Sequence, residues 1–389
     1  YYHGFVLRAY LLSLRGTDPA DLPAGARDRL VAMADVLAGL ATDDGILPAI
    51  HDGPYLRAPL ALEWTELCAL ADGFVADAGL DAVAARARRE AGDGADSLED
   101  ELRRLPGGWF AGPPLVVDRP ARPVVSVDEE VGIAVVRAAG IRAVLDHGPH
   151  GAGHGHHDKL ALHLYGRGTP WQPDPGQVPY GHPGWRDHYM SAVAHPVVRV
   201  DDGDPAEATG RLLDWDERSL TVEVRGDATS WYDGARALRR LVAGDGYLLD
   251  IVVATADRPR RLTLGLRPDV SLGVRLDGAV VRTVWDGAER LDGVHAAHAT
   301  GPDGPVPVRA AVRPGPGPAD DPQRERAHVD WTAHGATRAV WVSVFRAGGG
   351  SGSGPATGVE LDVDAAEIRV RRADGVVDVH PLPAEATDD

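Results

Sequence analysis

The stretch DHGPHGAGHGHHDK, which runs from Asp146 to Lys159, contains five histidines, four glycines and the only lysine of the chain. Nine of the 16 histidines lie between His147 and His195. Histidine at this density is typical of metal binding or proton transfer, and the glycines allow tight turns close to a ligand. Because the histidines follow neither a helical nor a strand period, the pattern predicts a functional loop that leads into a strand at Leu160–Tyr165.

On both sides of this loop, apolar residues alternate with polar ones over short segments separated by turn residues. Many short strands without long helices between them indicate a large antiparallel β-sandwich, which we place at residues 125–389. The predicted strands are Val131–Val136, Ile141–Leu145, Leu160–Tyr165, Val197–Val200, Leu220–Val224, Tyr247–Val253, Leu262–Leu266, Ala339–Phe345 and Ile368–Val370.

The chain before residue 106 has a helical pattern instead. Leu30, Met33 and Leu37 recur at three and four residues, which places them on one helix face. Short breaks between such segments predict antiparallel helical hairpins over residues 1–105, too few to close a large ring of helices. Residues 106–124, rich in proline and glycine, are interpreted as a linker. The predicted fold class is therefore multidomain α + β, with helices followed by a β-sandwich.

Composition narrows the range of partners. A formal net charge of −18 argues against nucleic acid or an anionic membrane, and the sequence has no apolar run long enough to predict a membrane-spanning helix. The single cysteine, Cys68, cannot form an internal disulfide.

The chain begins at Tyr1, inside a helical pattern, so we expect an upstream segment, with any signal peptide, to be missing. The localisation is left open.

The histidine-rich region supplies ligand types that suit zinc. His154 and His156 are separated by one residue, and Asp174 and His195 follow downstream. Imidazole and carboxylate are ligands of a borderline cation such as Zn²⁺, and a β-sandwich brings distant residues together at one end of neighbouring strands. The alternative is a polar, solvated histidine loop without a metal.

The same region resembles a known family, the heparinase II/III-like domain that heparinase II, heparinase III and related alginate lyases share. The opening segment Tyr1–Leu7 is similar to the one that ends the family's toroid of helix pairs. The resemblance implies a partial N-terminal (α/α) toroid followed by a large antiparallel β-sandwich, in agreement with the helical and strand patterns. It rests on the motifs His154-Gly155-His156-His157-Asp158-Lys159-Leu160, Leu164-Tyr165-Gly166-x-Gly168, Pro173-Asp174-Pro175-Gly176, Tyr180 and Ala194-His195.

By this resemblance, His156, Asp174 and His195 match the family's zinc ligands, and His154 matches a catalytic histidine. The family cleaves polysaccharides that contain uronic acid by β-elimination, in which a base removes the proton on C5 and an acid protonates the leaving oxygen at C4. Zinc would then be mainly architectural, because it would hold the histidine loop against the sheet with His154 directed at the cleft.

A tyrosine of the opening segment matches the catalytic acid of the family. Tyr2 is preferred to Tyr1 because Tyr2-His3 fits the family's tyrosine–histidine pair, although aromatic packing at a helix start is the alternative for both rings. In a syn elimination one tyrosine would serve as both acid and base. In an anti elimination His154 and Tyr2 would act from opposite faces of the sugar.

Other residues of the region are candidates for binding an acidic sugar. Three of them lie in the loop between the two downstream zinc ligands, where aromatic rings stack on sugars and a guanidinium pairs with a carboxylate. Lys159 is either a contact of a substrate carboxylate or an ordinary surface lysine, and Trp185 either binds sugar or packs the loop. The candidates are His150, Lys159, Tyr180, Trp185 and Arg186.

Two features depart from the family pattern. His195 is followed by Pro196 and Val197, where the family has asparagine and threonine, and proline removes a backbone donor. The family neutralises the substrate carboxylate with an asparagine or histidine and an arginine, yet this chain contains no asparagine. The neutralising group is therefore upstream of Tyr1, replaced by a residue such as Arg8, or absent.

The leading hypothesis is a zinc-containing polysaccharide lyase whose partner is an acidic polysaccharide or oligosaccharide, alginate- or heparin-like. The alternatives are a carbohydrate-binding relative that keeps fold and metal without catalysis, and a hydrolase in which zinc activates water. The products separate them, because only elimination leaves an unsaturated uronate that absorbs in the near ultraviolet. The sequence decides neither the polymer nor endo against exo cleavage, and it allows a homo-oligomer.

Overall fold

A computed structural model of the chain describes residues 1–55, 60–104, 110–182, 184–277, 280–348 and 356–383. The chain divides into two compact units, Tyr1–Arg122 and Pro123–Asp389. Their boundary falls within residues 106–124, the predicted linker, of which 106–109 lie outside the described ranges. Helices come first and large antiparallel sheets follow, so the predicted fold class is confirmed.

The first unit is helical because apolar residues recur at helical spacing along each segment. Leu7 and Leu11 of the first helix pack with Leu37, Leu70 and Phe74 in one core. None of the helices in the described ranges has the length and hydropathy that crossing a bilayer would require. The elements are α1 Tyr2–Ser13, α2 Ala24–Leu40, α3 Ala61–Phe74, β1 Val75–Ala76, α4 Asp81–Ala91, α5 Asp93–Arg104 and β2 Leu115–Val116, with β1 parallel to β2.

The second unit begins with the small sheet, in which consecutive strands pair antiparallel in the order of the chain. A long connection between its third and fourth strands carries the histidine-rich stretch. Its strands are β3 Val125–Asp128, β4 Ile133–Ala138, β5 Ile141–Asp146, β6 Leu162–Tyr165 and β7 Pro170–Gln172. A short helix, α6 Arg186–Met190, follows the small sheet.

The large sheet and the outer sheet make up the rest of the second unit, and both are antiparallel. The large sheet comprises β8 Val198–Val200, β9 Arg211–Trp215, β10 Ser219–Arg225, β11 Ala235–Ala243, β12 Leu248–Leu266, β13 Ser271–Asp277, β14 Val280–Asp286, β15 Leu291–Gly301, β16 Gly304–Val306, β17 Val308–Gly315 and β18 Arg326–Ala347. The outer sheet comprises β19 Ala356–Asp362, β20 Glu367–Arg372 and β21 Val377–Pro381.

The large sheet lies between the other two, since its central strands are buried on both faces. Leu248 and Val252 of β12 belong to the core shared with the small sheet. Leu249 and Ile251, at the alternate positions, belong to the core shared with the outer sheet. Successive side chains of a strand point to opposite faces, so this alternation produces a layered β-sandwich.

One strand is longer than the sequence pattern indicates. The predicted strands Tyr247–Val253 and Leu262–Leu266 are parts of the single strand β12. The residues between them include the exposed Asp257 and Pro259, and the register with β18 shifts there. The apolar alternation breaks at this exposed bulge, whereas the backbone pairing continues on both sides of it.

Candidate active site

Strand directions bring three chain segments together at one end of the small sheet. β6 and β7 are antiparallel neighbours, so the start of β6 and the end of β7 lie at the same end of the sheet. The segment before β6 carries His156 and Asp158, and the segment after β7 carries Asp174. The third segment carries His195 and leads into β8 of the large sheet.

These segments form a buried group that could hold a metal ion. His156, Asp158, Asp174 and His195 each offer one nitrogen or oxygen atom, and these atoms all lie within 4.8 Å of one another. The ring centroids of the two histidines are 5.2 Å apart. Two buried carboxylates side by side repel each other and are costly to desolvate, so a divalent cation bound between these side chains would stabilise the group.

The two ring nitrogens of His195 have different surroundings. Its Nε2 lies 2.9 Å from the backbone carbonyl oxygen of Tyr189, to which it donates a hydrogen bond. The lone pair is then on Nδ1, which is buried and has no hydrogen-bond partner among the described residues. Burial holds the pKa of His195 well below its usual range, so the ring is neutral, as metal binding requires.

Asp174 accepts a backbone hydrogen bond and lies beside a second buried histidine. Its Oδ1 accepts a hydrogen bond of 2.8 Å from the backbone N–H of Gly176, and its Oδ2 lies 3.6 Å from Nε2 of His163. Asp174 and His163 are both fully buried. His163 of β6 therefore packs beside this carboxylate in the interior.

Lys159 lies in the interior beside the metal group, with 5% of its surface exposed. Its ammonium pairs with Asp146 and lies 3.4 Å from Oδ1 of Asp158. Burial opposes the charge on Lys159, but the two carboxylates outweigh it and raise the pKa. The interpretation as an ordinary surface lysine is wrong. Contact with a substrate carboxylate stays a prediction, which this burial disfavours.

His154, Tyr180 and Arg186 come together at the surface. The hydroxyl of Tyr180 lies 2.9 Å from Nδ1 of His154, and the guanidinium carbon of Arg186 lies 4.6 Å from the centroid of the Tyr180 ring. His154 is exposed, as is 63% of Tyr180. An exposed imidazole and an exposed phenol therefore lie together, with the half-buried Arg186 against the phenol ring. His154 is only two residues along the chain from the buried His156.

Gly155 makes this change from surface to interior possible. A Cβ at Gly155 would lie 1.6 Å from the backbone oxygen of His150, so the chain crosses itself where only glycine fits. A Cβ at Gly153, in the same loop, would meet nothing within 4 Å. The close crossing therefore fixes the backbone between His154 and His156.

The remaining predicted sugar-binding residues, His150 and Trp185, are buried and half-buried. His150 is buried, with its ring 5.1 Å from that of His157, and burial lowers its pKa. Trp185 packs against a small apolar cluster that contains Tyr189, as the loop-packing interpretation expects. Sugar contacts of His150 and Trp185 stay predictions.

Tyr2 belongs to the helical unit, in the first turn of α1. It is 38% exposed, and its ring lies 5.5 Å, edge to face, from that of Tyr1. This contact is the aromatic packing expected at a helix start. The role of Tyr2 as catalytic acid stays a prediction. Arg8, suggested as a substitute for the neutralising group, pairs with Glu66 of α3.

The sequence and the fold are both similar to known proteins. The profile of the heparinase II/III-like C-terminal domain matches residues 121–339, more than half of the chain. No curated protein matches the sequence. The fold resembles a heparinase III with methylated lysines, with a TM-score of 0.65 and 13% identity over 93% of this chain and 53% of that one.

A heparan sulfate lyase from Pedobacter heparinus is also similar, with a TM-score of 0.62 and 14% identity over 94% of this chain and 54% of that one. The chain thus spans about half the length of both structures. At this identity the likeness concerns the fold, whereas the profile match concerns the sequence. By that match, the chain belongs to the heparinase II/III-like family, of which it contains the C-terminal domain.

Proposed function

We propose that this chain acts as a polysaccharide lyase that cleaves glycosaminoglycans containing uronic acid by β-elimination. The observation that carries the proposal is the 2.9 Å contact between His154 and Tyr180 at the surface, next to the buried histidine–aspartate group. Family membership supports the reaction, and the heparinase III and heparan sulfate lyase with similar folds support the substrate class.

His154 is assigned as the base. In β-elimination the C5 proton leaves to a base, its electron pair forms the C4=C5 double bond, and the C4–O bond breaks. With the proton on Nδ1, His154 donates to the Tyr180 oxygen, and the lone pair on Nε2 accepts the C5 proton. The leaving oxygen takes a proton from a tyrosine. Tyr180 is within reach of His154, and Tyr2 remains the candidate from the family pattern.

Arg186 is assigned to the substrate carboxylate. Negative charge grows on this carboxylate as C5 loses its proton, and a cation placed nearby offsets it. The guanidinium of Arg186 lies over the Tyr180 ring, which holds it beside His154. A guanidinium also pairs with a carboxylate through two N–H groups. Arg186 would thus neutralise the substrate carboxylate, the role for which the family uses an asparagine or histidine together with an arginine. This chain contains no asparagine.

We also propose that His156, Asp174 and His195 bind Zn²⁺, with Asp158 in the same group. Two imidazoles and a carboxylate are a ligand set that zinc takes, and the buried Nδ1 of His195 fits this use because it has no hydrogen-bond partner among the described residues. When bound, the cation would supply a cross-link between three chain segments. The protein ligands then keep the histidine loop in position, and His154 moves the proton.

The test is a screen of uronate polymers with the full-length protein, followed by near-ultraviolet absorption of the unsaturated product. Wild type should cleave at least one of heparan sulfate, heparin, chondroitin, hyaluronan or alginate. His154→Ala should lower the rate by roughly 10²- to 10⁴-fold, the usual contribution of a general base, and keep its metal. The matched control is His334→Ala, which removes an exposed histidine of β18 and should leave the rate unchanged.

Phenylalanine substitutions decide which tyrosine is the acid. Tyr180→Phe should reduce elimination if Tyr180 supplies the proton, and Tyr2→Phe should do so if the family pattern holds. An equal rate for His154→Ala and wild type would remove His154 from the mechanism. Polymer that is bound but not cut would favour the carbohydrate-binding alternative, and cleavage without an unsaturated product would favour hydrolysis.

A further inference from the structure

A buried arginine, Arg239, joins two of the segments that carry the candidate metal ligands. Arg239 lies on β11 with 1% of its surface exposed. Its neighbours at alternate positions, Ala237 and Leu241, belong to the apolar core between the large and small sheets. A guanidinium in such a core is destabilising unless its donors are bound, so its N–H groups must be accounted for.

One side of the guanidinium is anchored to the large sheet. Nε and Nη2 of Arg239 donate to the two carboxylate oxygens of Asp250 at 2.8 Å and 2.7 Å. Asp250 lies on the neighbouring strand β12 and is as deeply buried as the arginine. This two-point pairing fixes the plane of the guanidinium.

The other side of the guanidinium binds backbone. Nη1 donates to the carbonyl oxygen of Leu160 at 2.7 Å and to that of Pro196 at 3.1 Å. Leu160 comes two residues after Asp158, and Pro196 directly follows His195. One nitrogen atom therefore bonds both to the residue that follows the histidine loop and to the segment of His195.

Leu160 has a backbone conformation that leucine disfavours. Its φ of 65° lies in the left-handed region, which a leucine adopts only where the surroundings enforce it. The N–H of Leu160 donates to the carbonyl oxygen of Asp146 at 2.8 Å, and its own carbonyl accepts from Arg239. These two bonds hold the turn that leads from the histidine loop into β6.

We infer that Arg239 is a positioning residue for the metal group. Through the carbonyls of Leu160 and Pro196 it sets the distance between the ligands of the histidine loop and His195. The inference rests on the proposed metal site and adds a residue that touches neither metal nor substrate. A lysine at this position keeps the charge opposite Asp250, but its single ammonium lacks the planar fork that also reaches two carbonyls.

Arg239→Lys and a matched control, Arg236→Lys, test the inference in the full-length protein. Arg236 lies on the same strand and pairs with Glu223 of β10, outside the ligand segments. Circular dichroism first gives the unfolding temperature of each protein. The metal-stripped proteins are then titrated with Co²⁺ below that temperature, and the visible absorption of Co²⁺ reports the geometry of its ligands. Arg239→Lys should bind Co²⁺ about 10- to 100-fold more weakly with an altered spectrum. Arg236→Lys should match wild type in both.

Asp250→Asn keeps the two bonds from Nη1 but weakens the anchor, so it should lower Co²⁺ affinity by less than Arg239→Lys does. It also provides the test if Arg239→Lys does not fold. Wild-type affinity and spectrum in the folded variants would overturn the role of Arg239 and leave the metal site standing. Failure of wild type to bind one equivalent of Co²⁺ would overturn the metal site, and the inference with it.

Discussion

Two fully buried histidines of the second unit, His195 and His295, differ in the partners of their ring nitrogens. Nε2 of His295 lies 2.7 Å from the Thr283 hydroxyl, and its Nδ1 lies 2.9 Å from the Ser343 hydroxyl. His195 has a carbonyl at Nε2 and no hydrogen-bond partner for Nδ1 among the described residues. Burial lowers the pKa of both rings. The partner of the second nitrogen, rather than burial, therefore separates a structural histidine from a candidate ligand.

The largest expected contrast is in metal binding. His195→Ala removes a proposed ligand, so tight one-to-one binding of Zn²⁺ should be lost. His295→Gln, which removes an equally buried ring outside the metal group, should keep the affinity of wild type. Isothermal titration calorimetry of the metal-stripped proteins measures both. Equal affinities in the two variants would break the comparison.

The next contrast lies between two glycines of the histidine loop. Gly155→Ala should weaken metal binding and elimination together, because the new methyl group would overlap the backbone oxygen of His150 and displace the loop. Gly153→Ala should change neither, since its methyl group has open space. Metal content and rate are measured on the same preparations. Wild-type behaviour of Gly155→Ala would show that the close crossing does not position the ligands.

Lowering the pH should reduce the free energy of unfolding because His295 is buried as a neutral ring. Its pKa is lowered by burial to about 3, whereas an unfolded histidine has a pKa near 6.5. As the pH falls from about 6.5 to about 3, the unfolded state gains a proton that the native state does not, so the free energy of unfolding falls. The loss attributable to His295 is at most roughly 3–5 kcal/mol.

Replacement of the ring tests this sign. His295→Gln should lose less unfolding free energy than wild type between neutral pH and about pH 4, as measured by urea unfolding. His328, whose pKa burial also lowers to about 3, is present in both proteins and so does not affect the difference. Identical pH dependence in the two proteins would mean that His295 is not kept neutral.

The smallest expected effect concerns one partner of His295. Ser343→Ala removes the hydroxyl at Nδ1 and leaves a buried polar atom unpaired, which should lower the free energy of unfolding by roughly 1–3 kcal/mol. Metal affinity should not change, because Ser343 is not part of the metal group. Urea unfolding checks the first statement and metal titration the second. A change in metal affinity would contradict the separation of the two regions.

The order of helices and sheets could be predicted from sequence because burial leaves local periodicities. Leu248, Leu249 and Val252 alternate between two cores, and this appears as a short apolar run. The length of β12 could not be predicted in the same way, since its exposed middle around Pro259 carries no apolar pattern. Pairing with β18 on both sides, a nonlocal interaction, keeps that segment in the strand.

The site was predictable in part. The density of histidines indicates a metal or proton-transfer loop, and the family motif points to His156, Asp174 and His195, which the structure brings together with Asp158. Arg239 was missed, although Ala237 and Leu241 on either side of it follow an inward alternation that places the arginine in the core. Its partners, Asp250 and two backbone carbonyls, are far away in sequence, so no local pattern reveals them.

The most direct measurement is X-ray absorption at the zinc edge of the zinc-loaded full-length protein, compared with His195→Ala. The account predicts one zinc bound by two imidazoles and carboxylate oxygen at roughly 2.0–2.2 Å, with imidazole scattering reduced in the variant. Zinc bound without imidazole, or imidazole scattering that is the same in wild type and His195→Ala, would contradict it.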